Sequence, residues 1–395
     1  MEHGKTNEGD STPGVMPSDR RRFLQLSTAS LAAIGVAGLA AEAAQAAPAR
    51  SATAPITLDQ CRRMSPAEMA QRSAMVTNGY AYLHKSCKLI SDRGYRDLAR
   101  ACLDDPTPKI MALFPSNTEK EAVKQELVAA GYLKPETTYE QFLPPCAGPD
   151  RVVQPFDVAP GSGWKSHHAY PGGLVTHVAV FLKSALGLFD AYQDIYGYRM
   201  NRDLIVAAAM IHDAQKPWVL QWKSDDSIVA ESPIAGTGSH HVLAIADAIY
   251  RELPPELVLT IACCHMHPGW DKEEAEVVGW IKAAAIINGR DPVRLGLLAP
   301  GGKTLPLPRR QEGFITHMGD HDYVLTAPAC NWMVAKLAEI ARQDYAMNDA
   351  DLAGKPFNAL RNYLFSQASV KRLHQIWVEQ GEDALRRTVH GIVTV

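Results

Sequence analysis

The sequence contains no Cys-x-x-Cys pair, which removes the paired-thiolate spacing of zinc ribbons. Seven cysteines, at 61, 87, 102, 146, 263, 264 and 330, are too few and too odd in number for a dense disulfide framework, so the fold must rest on its core. An excess of positive charge is also lacking. Lys+Arg total 40 against 43 Asp+Glu, a net charge of −3, so no global basic field draws the chain onto nucleic acid, and nucleic acid is not an expected partner. Runs of alternating apolar and polar residues are sparse, which argues against a sheet protein. Beyond the N-terminal segment, no apolar run approaches the ~18 residues needed to cross a bilayer. What is present is a 395-residue chain, 46% hydrophobic and 21% charged, too apolar to remain disordered. That length allows two or three domains, or one domain with flanking elaborations, and the second organisation is the expected one.

Residues 1–17 are polar. Asp19-Arg20-Arg21-Arg22-Phe23-Leu24 then leads into a run rich in Ala, Gly and Leu from Leu24 to Ala41, followed by Ala44-Gln45-Ala46. Ser27, Thr28, Ser30, Gly35 and Gly38 keep this run only mildly hydrophobic. The three-part pattern resembles a twin-arginine export signal. The resemblance implies cleavage after Ala46, a partner in the twin-arginine translocation machinery, and a mature chain that is periplasmic or secreted, without membrane attachment. It also implies export in the folded state, often with metal already loaded. Cys61 lies well beyond the apolar run, so a lipoprotein anchor is not expected.

Residues 47–57 read as an Ala/Pro/Thr-rich linker, and residues 58–159 as a helical N-terminal extension without chemistry of its own. Its helix starts are marked by Ser65-Pro66-x-Glu68 and by Ser116-Asn117-Thr118. Apolar runs of helical length recur at 173–190, 202–213, 239–252, 255–267, 274–287 and 314–326, which predicts an all-α central domain over residues 160–328. A loop rich in Pro and Gly interrupts it between Pro300 and Gly313. Residues 329–395 read as a helical C-terminal extension with Trp332, Val334, Leu337, Ile340, Leu364, Leu373, Ile376 and Trp377 as core candidates.

Histidine is the telling residue. Ten of the fourteen (167, 168, 177, 212, 240, 241, 265, 267, 317 and 321) fall within 155 residues. His212-Asp213 ends the helix beginning after Asn201, and Leu204, Ala208, Ile211 and His212 share one buried face at helical period. A vicinal His and Asp placed there can ligate one metal through nitrogen and reach a second through the carboxylate. His168-Ala-Tyr-Pro-Gly-Gly-Leu-Val-Thr-His177 is a turn running into an apolar helix on which His177, Phe181 and Ala185 share a face. His240 and His241 start another helix after a Ser239 cap, Cys263-Cys264-His265-Met266-His267 closes the next, and Thr316-His317-Met318-Gly319-Asp320 follows.

The order and context of these residues resemble the HD-domain superfamily of metal-dependent phosphohydrolases over about residues 160–330. The Tyr-Pro-Gly-Gly-Leu-x-x-His stretch is its most specific part. The resemblance implies an HD-domain-like helical bundle in which His177, His212, Asp213 and Asp320 hold one ion. It further implies that His240 or His241, together with His265, complete a site for a second. Small residues Ala244 and Ala248 favour His240, and His267, just before Pro268, is less well placed than His265. Imidazoles and carboxylates together suit divalent Mn, Fe, Ni or Zn. Two such ions a few ångströms apart clamp a phosphate and activate water, so the implied reaction is hydrolysis of a small phosphorylated substrate, nucleotides included, with Asp213 and Lys216 central to catalysis.

Lys216 matches the lysine that follows the family's His-Asp pair and could hold a phosphoryl oxygen; the alternative is a solvated helix-end lysine. Gln215 stands where the family commonly has Gly, which puts the geometry of Lys216 in question. His168, with His167, is a candidate substrate contact and proton donor. His317 and His321 could orient Asp320 or lie at the surface. The 300–313 loop, with Gly301, Gly302, Lys303, Arg309 and Arg310, reads as a solvated excursion, the alternative being a flap that meets an anionic substrate. Cys263 and Cys264 read as packing residues. Two other functions use the same residue types: a di-iron oxygenase acting on a polyol or phosphonate, and a non-catalytic binding protein stapled by metal.

Overall fold

The computed structural model describes residues 54–148 and 152–395. The twin-arginine segment, its cleavage site and the first part of the linker lie outside the described residues. Among the described residues, thirteen helices of eight residues or more carry the fold: α1 (Ala74–Ser86), α2 (Arg93–Asp104), α3 (Asn117–Ala129), α4 (Gly173–Tyr196), α5 (Arg202–Ile211), α6 (Ser239–Tyr250), α7 (Pro255–Ala262), α8 (Asp271–Ile287), α9 (Glu312–Gly319), α10 (Tyr323–Asp344), α11 (Lys355–Ala368), α12 (Val370–Gln380) and α13 (Glu382–His390). The all-α expectation is met. The described strands form one two-residue parallel ladder, Ile56–Thr57 with Val393–Thr394, in which Ile56 pairs with Val393.

Side-chain caps set several helix starts where the sequence places them. Ser65 and Glu68 form a reciprocal capping box, as do Ser116 and Glu119, and the Asn201 side chain accepts from Asp203 N at the head of α5. The Ser239 cap is a correction. Gly238 caps α6, and the Ser239 hydroxyl, already inside the helix, donates instead to Glu231.

Helix α5 is the centre of the molecule, with every residue from Leu204 to Ile211 buried. α4, α9, α7 and α2 pack around it. One hydrophobic cluster runs from Ala70 through Ile315, so α1, α2 and α3, read from sequence as an extension, share a core with the histidine-bearing helices. A second cluster is built on α10 to α13, with Cys61, Met69 and Tyr170 set into it. Trp332 is a correction: it is 48% exposed and lies stacked on His374 rather than in the core. α4 is another. By length and composition it could cross a membrane, contrary to the sequence reading, but Gly173–Ala179 at its start are all buried, and Leu174, Val175, Val178 and Ala179 belong to the first cluster.

The helix expected over residues 314–326 is broken. α9 stops at Gly319 and α10 starts at Tyr323, leaving Asp320-His321-Asp322 as the bend. Gly319 sits where α9 meets α4, and a Cβ there would come within 2.8 Å of the Phe181 ring and 3.0 Å of Ala185. The bend turns Asp320 toward His177 one turn back along α4.

The turn that launches α4 is equally tight. Gly172 takes a left-handed φ of 77° at the N-cap. A Cβ on Gly173 would lie 2.0 Å from the His168 carbonyl oxygen, a backbone atom that cannot swing aside. Gly173→Ala is therefore expected to cost about 1–3 kcal/mol through forced backbone strain. Denaturant unfolding of the variant against the parent chain measures it.

Candidate metal centre

Five chain segments deliver their side chains to one buried point. α4 supplies His177, the end of α5 supplies His212 and Asp213, the first turn of α6 supplies His240 and His241, the segment after α7 supplies His265, and the bend after α9 supplies Asp320. His212 and Asp213 are fully buried, His177 is 3% exposed and Asp320 8%.

Asp213 divides the site. Its Oδ2 lies 3.1 Å from His177 Nε2 and 3.2 Å from His212 Nε2, whereas its Oδ1 lies 3.6 Å from His240 Nε2 and 3.4 Å from His265 Nε2. Asp320 Oδ1 joins the first group, 3.1 Å from His177 Nε2 and 3.7 Å from His212 Nε2. His177, His212 and Asp320 thus form one cluster of ligand atoms, and His240, His241 and His265 another.

The far nitrogens of the rings are fixed by protein groups. His212 Nδ1 donates to Ala209 O at 3.0 Å, and His240 Nδ1 donates to Glu231 Oε2 at 2.7 Å. Each bond leaves Nε2 with its lone pair directed at Asp213. His241 is held differently. Its Nδ1 is 2.6 Å from Thr237 Oγ1 and its ring stacks on His265 at 3.5 Å, so of the two neighbours His240 is the one aimed at Asp213. Lys216 is buried, with Nζ 2.7 Å from Gly161 O and 2.5 Å from Asp213 Oδ2.

The electrostatics call for positive charge. Burial alone would push the His177 imidazolium down, yet the Asp213 and Asp320 carboxylates against its Nε2 raise it to about 9. Burial likewise opposes ionisation of Asp213, but the adjoining His212 and Lys216 charges hold its carboxyl well below the usual range. On the other side, burial lowers His265 to about 4 and His241 well below the ordinary value, so those rings are neutral and able to ligate.

A divalent ion fits these residues. Among the described residues, His177 Nε2, His212 Nε2, Asp213 Oδ1, His265 Nε2 and Asp320 Oδ1 are buried without a hydrogen-bond partner. Each such atom costs about 1–3 kcal/mol if left unsatisfied. The contacts of His177 with Asp213 and Asp320, and of His212 with Asp213, at 3.1–3.2 Å match ligands about 2.0–2.2 Å from a common ion, which stand roughly 3–3.5 Å apart.

Other sequence candidates fall outside the cluster. His267 packs its ring beside Phe314, while His317 donates to Cys264 O and stacks edge-on with His321. Cys263 and Cys264 are buried, and burial pushes the Cys263 thiol up to about 12. The 300–313 loop is tied down rather than solvated throughout: Leu305 N donates to Glu274 Oε1 at 2.7 Å and Arg309 pairs with the same oxygen at 2.5 Å. His168 is buried 5.2 Å, ring to ring, from His177 and lines a cavity of about 260 Å³. Sequence reasoning missed Glu231 and Asp322. Glu231 lies on an irregular loop, and Asp322 falls within an apolar pattern that reads as one continuous helix.

These residues define an all-α protein with buried His/Asp clusters able to bind a metal ion. No protein-family model matches the chain, and no solved structure matches it. A 99-residue stretch is 35% identical to the dihydroneopterin 2',3'-cyclic phosphate phosphodiesterase of Methanocaldococcus jannaschii, covering 25% of this chain and 39% of that relative's length.

Proposed function

We propose that the chain is an exported, metal-dependent phosphohydrolase of the HD-domain type that cleaves a small phosphate ester with water. The observation that carries the reading is Asp213, whose two buried oxygens face two separate sets of imidazoles. His177, His212, Asp213 and Asp320 would hold one ion, and Asp213, His240 and His265 a second, with His241 stacked behind His265. The relative's name, a phosphodiesterase acting on a cyclic phosphate, supports phosphoester cleavage and suggests a cyclic phosphodiester of a small molecule as the first substrate class to try. The twin-arginine-like N-terminus supports export.

Two divalent ions in such a site lower the pKa of water and neutralise phosphoryl charge. The protein's own part is placement. Glu231 and Ala209 O orient the rings of His240 and His212, Lys216 clamps Asp213 to the Gly161 backbone, and burial excludes bulk water. His168 sits on the wall of the cavity beside the centre, where a substrate can approach.

The test is to strip the purified chain with chelator, reload it separately with Mn, Fe, Ni or Zn, and offer cyclic phosphodiesters and phosphomonoesters. Cleavage that appears only with metal is expected. No cleavage of any phosphoester with any of the four metals would overturn the reading, and oxygen consumption by the iron form would reassign the site to an oxygenase.

A further inference from the structure

Beside the centre, on the far side of His177, stands a second group of ligand atoms that the proposed hydrolysis does not use. His167, His168, His177 and Asp322 each offer one atom, all within 4.8 Å of one another. His168 Nε2 is 3.6 Å from Asp322 Oδ2, and His177 Nδ1 is 4.0 Å from Asp322 Oδ1. Both separations exceed a hydrogen bond. Among the described residues, His177 Nδ1 and Asp322 Oδ1 are buried atoms with no hydrogen-bond partner.

His167 Nδ1 and His168 Nδ1 lie 2.6 Å apart, so a single proton is shared between them and neither ring satisfies Asp322. The orphaned atoms repeat the signature of the main centre one ring further out, at the wider spacing of a group that an ion would draw together. Unlike that centre, this group borders the 260 Å³ cavity, whose walls include His167, His168 and Asp322, so a hydrated ion has a route in. Lys371 is the ammonium on the same wall, and Asp322 supplies the opposing charge.

We infer that His167, His168 and Asp322, facing His177 Nδ1, form an additional site for a borderline divalent transition ion. His177 spends its ligating nitrogen on the main centre, so the ligands are two imidazoles and one carboxylate, a set that favours Zn²⁺ or Co²⁺ over Mg²⁺ or Ca²⁺. The site extends beyond the hydrolytic reading and does not need it, because its ligands His167, His168 and Asp322 lie outside that centre.

The test counts Co²⁺ per chain at saturation, by elemental analysis of the full chain, in the parent protein and in Asp322→Ala, His167→Ala and Asp213→Ala. Asp322→Ala and His167→Ala are each expected to bind one ion fewer than the parent. Asp213→Ala is expected to lose the ions of the main centre and keep this one, so the two readings fail separately. An unchanged count in Asp322→Ala, or an unchanged count with weaker binding, overturns the inference and makes Asp322 a group that orients His177. If the variants do not fold, anomalous scattering from Co²⁺-soaked crystals of the parent decides: a peak between His168 Nε2 and Asp322 supports the site, and its absence refutes it.

Discussion

Asp213→Ala is expected to lower phosphoester hydrolysis by about 10³-fold or more, because metal stabilisation of transition-state charge is worth several kcal/mol and each 1.36 kcal/mol is tenfold in rate. The size of the effect follows from the position of one carboxylate. Oδ2 is shared by His177, His212 and Lys216, and Oδ1 by His240 and His265, so removing the side chain strips a ligand from both halves at once. Asp320 is a poorer bridge: its Oδ1 serves the His177 and His212 side, while its Oδ2 comes only to 3.9 Å from His265 Nε2. The measurement is kcat/KM alongside metal content per chain, with circular dichroism to confirm the helical fold. Near-parental activity in a folded variant would remove Asp213 from the mechanism.

Lys216→Met carries the largest expected effect on stability. The ammonium and the Asp213 carboxylate are both buried, and removing one partner of such a pair costs roughly 3–5 kcal/mol by leaving the other uncompensated. Gly161 O loses its donor as well, 55 residues away along the chain and beside the α4 turn. The loss belongs to the metal-free chain. With ions loaded, positive charge stands against Asp213 from the other side, so the penalty should shrink. Denaturant unfolding of parent and variant, each with and without metal, reads this difference. A variant with parental stability and a raised KM would instead make Lys216 a substrate contact, the role read for it from sequence.

The centre was legible to the extent that its chemistry lies in helices whose apolar period shows which face is buried. His177 shares its face with Phe181 and Ala185, and His212 with Leu204 and Ala208, so their inward direction could be read from spacing alone. Choosing between His240 and His241 could not be settled that way. Both rings enter the same region, and what separates them is a hydrogen bond to Glu231 and another to Thr237, made by a loop with no periodic signal. Asp322 was lost for the opposite reason. The apolar residues on either side of it continue a helical pattern, and the break is imposed by α9 lying against α4 at Gly319, a tertiary contact. The same limit explains Trp332, whose apolar character suits a core position while its place on α10 leaves it outside. Lys216 was singled out by its place after the His-Asp pair, but its carbonyl partner is remote in sequence and no local pattern announces it.

The pairing of Ile56 with Val393 sets an order of events during synthesis. Ile56 can be capped only by a residue made more than three hundred positions later, and the α10 to α13 cluster into which Ile56 and Cys61 are set is made late as well. The helices that carry the ligands of the metal centre all precede Val393 in the chain, so the centre can assemble while the chain is still being extended. Ile56 and Thr57 must wait for the segment around Val393 to latch them.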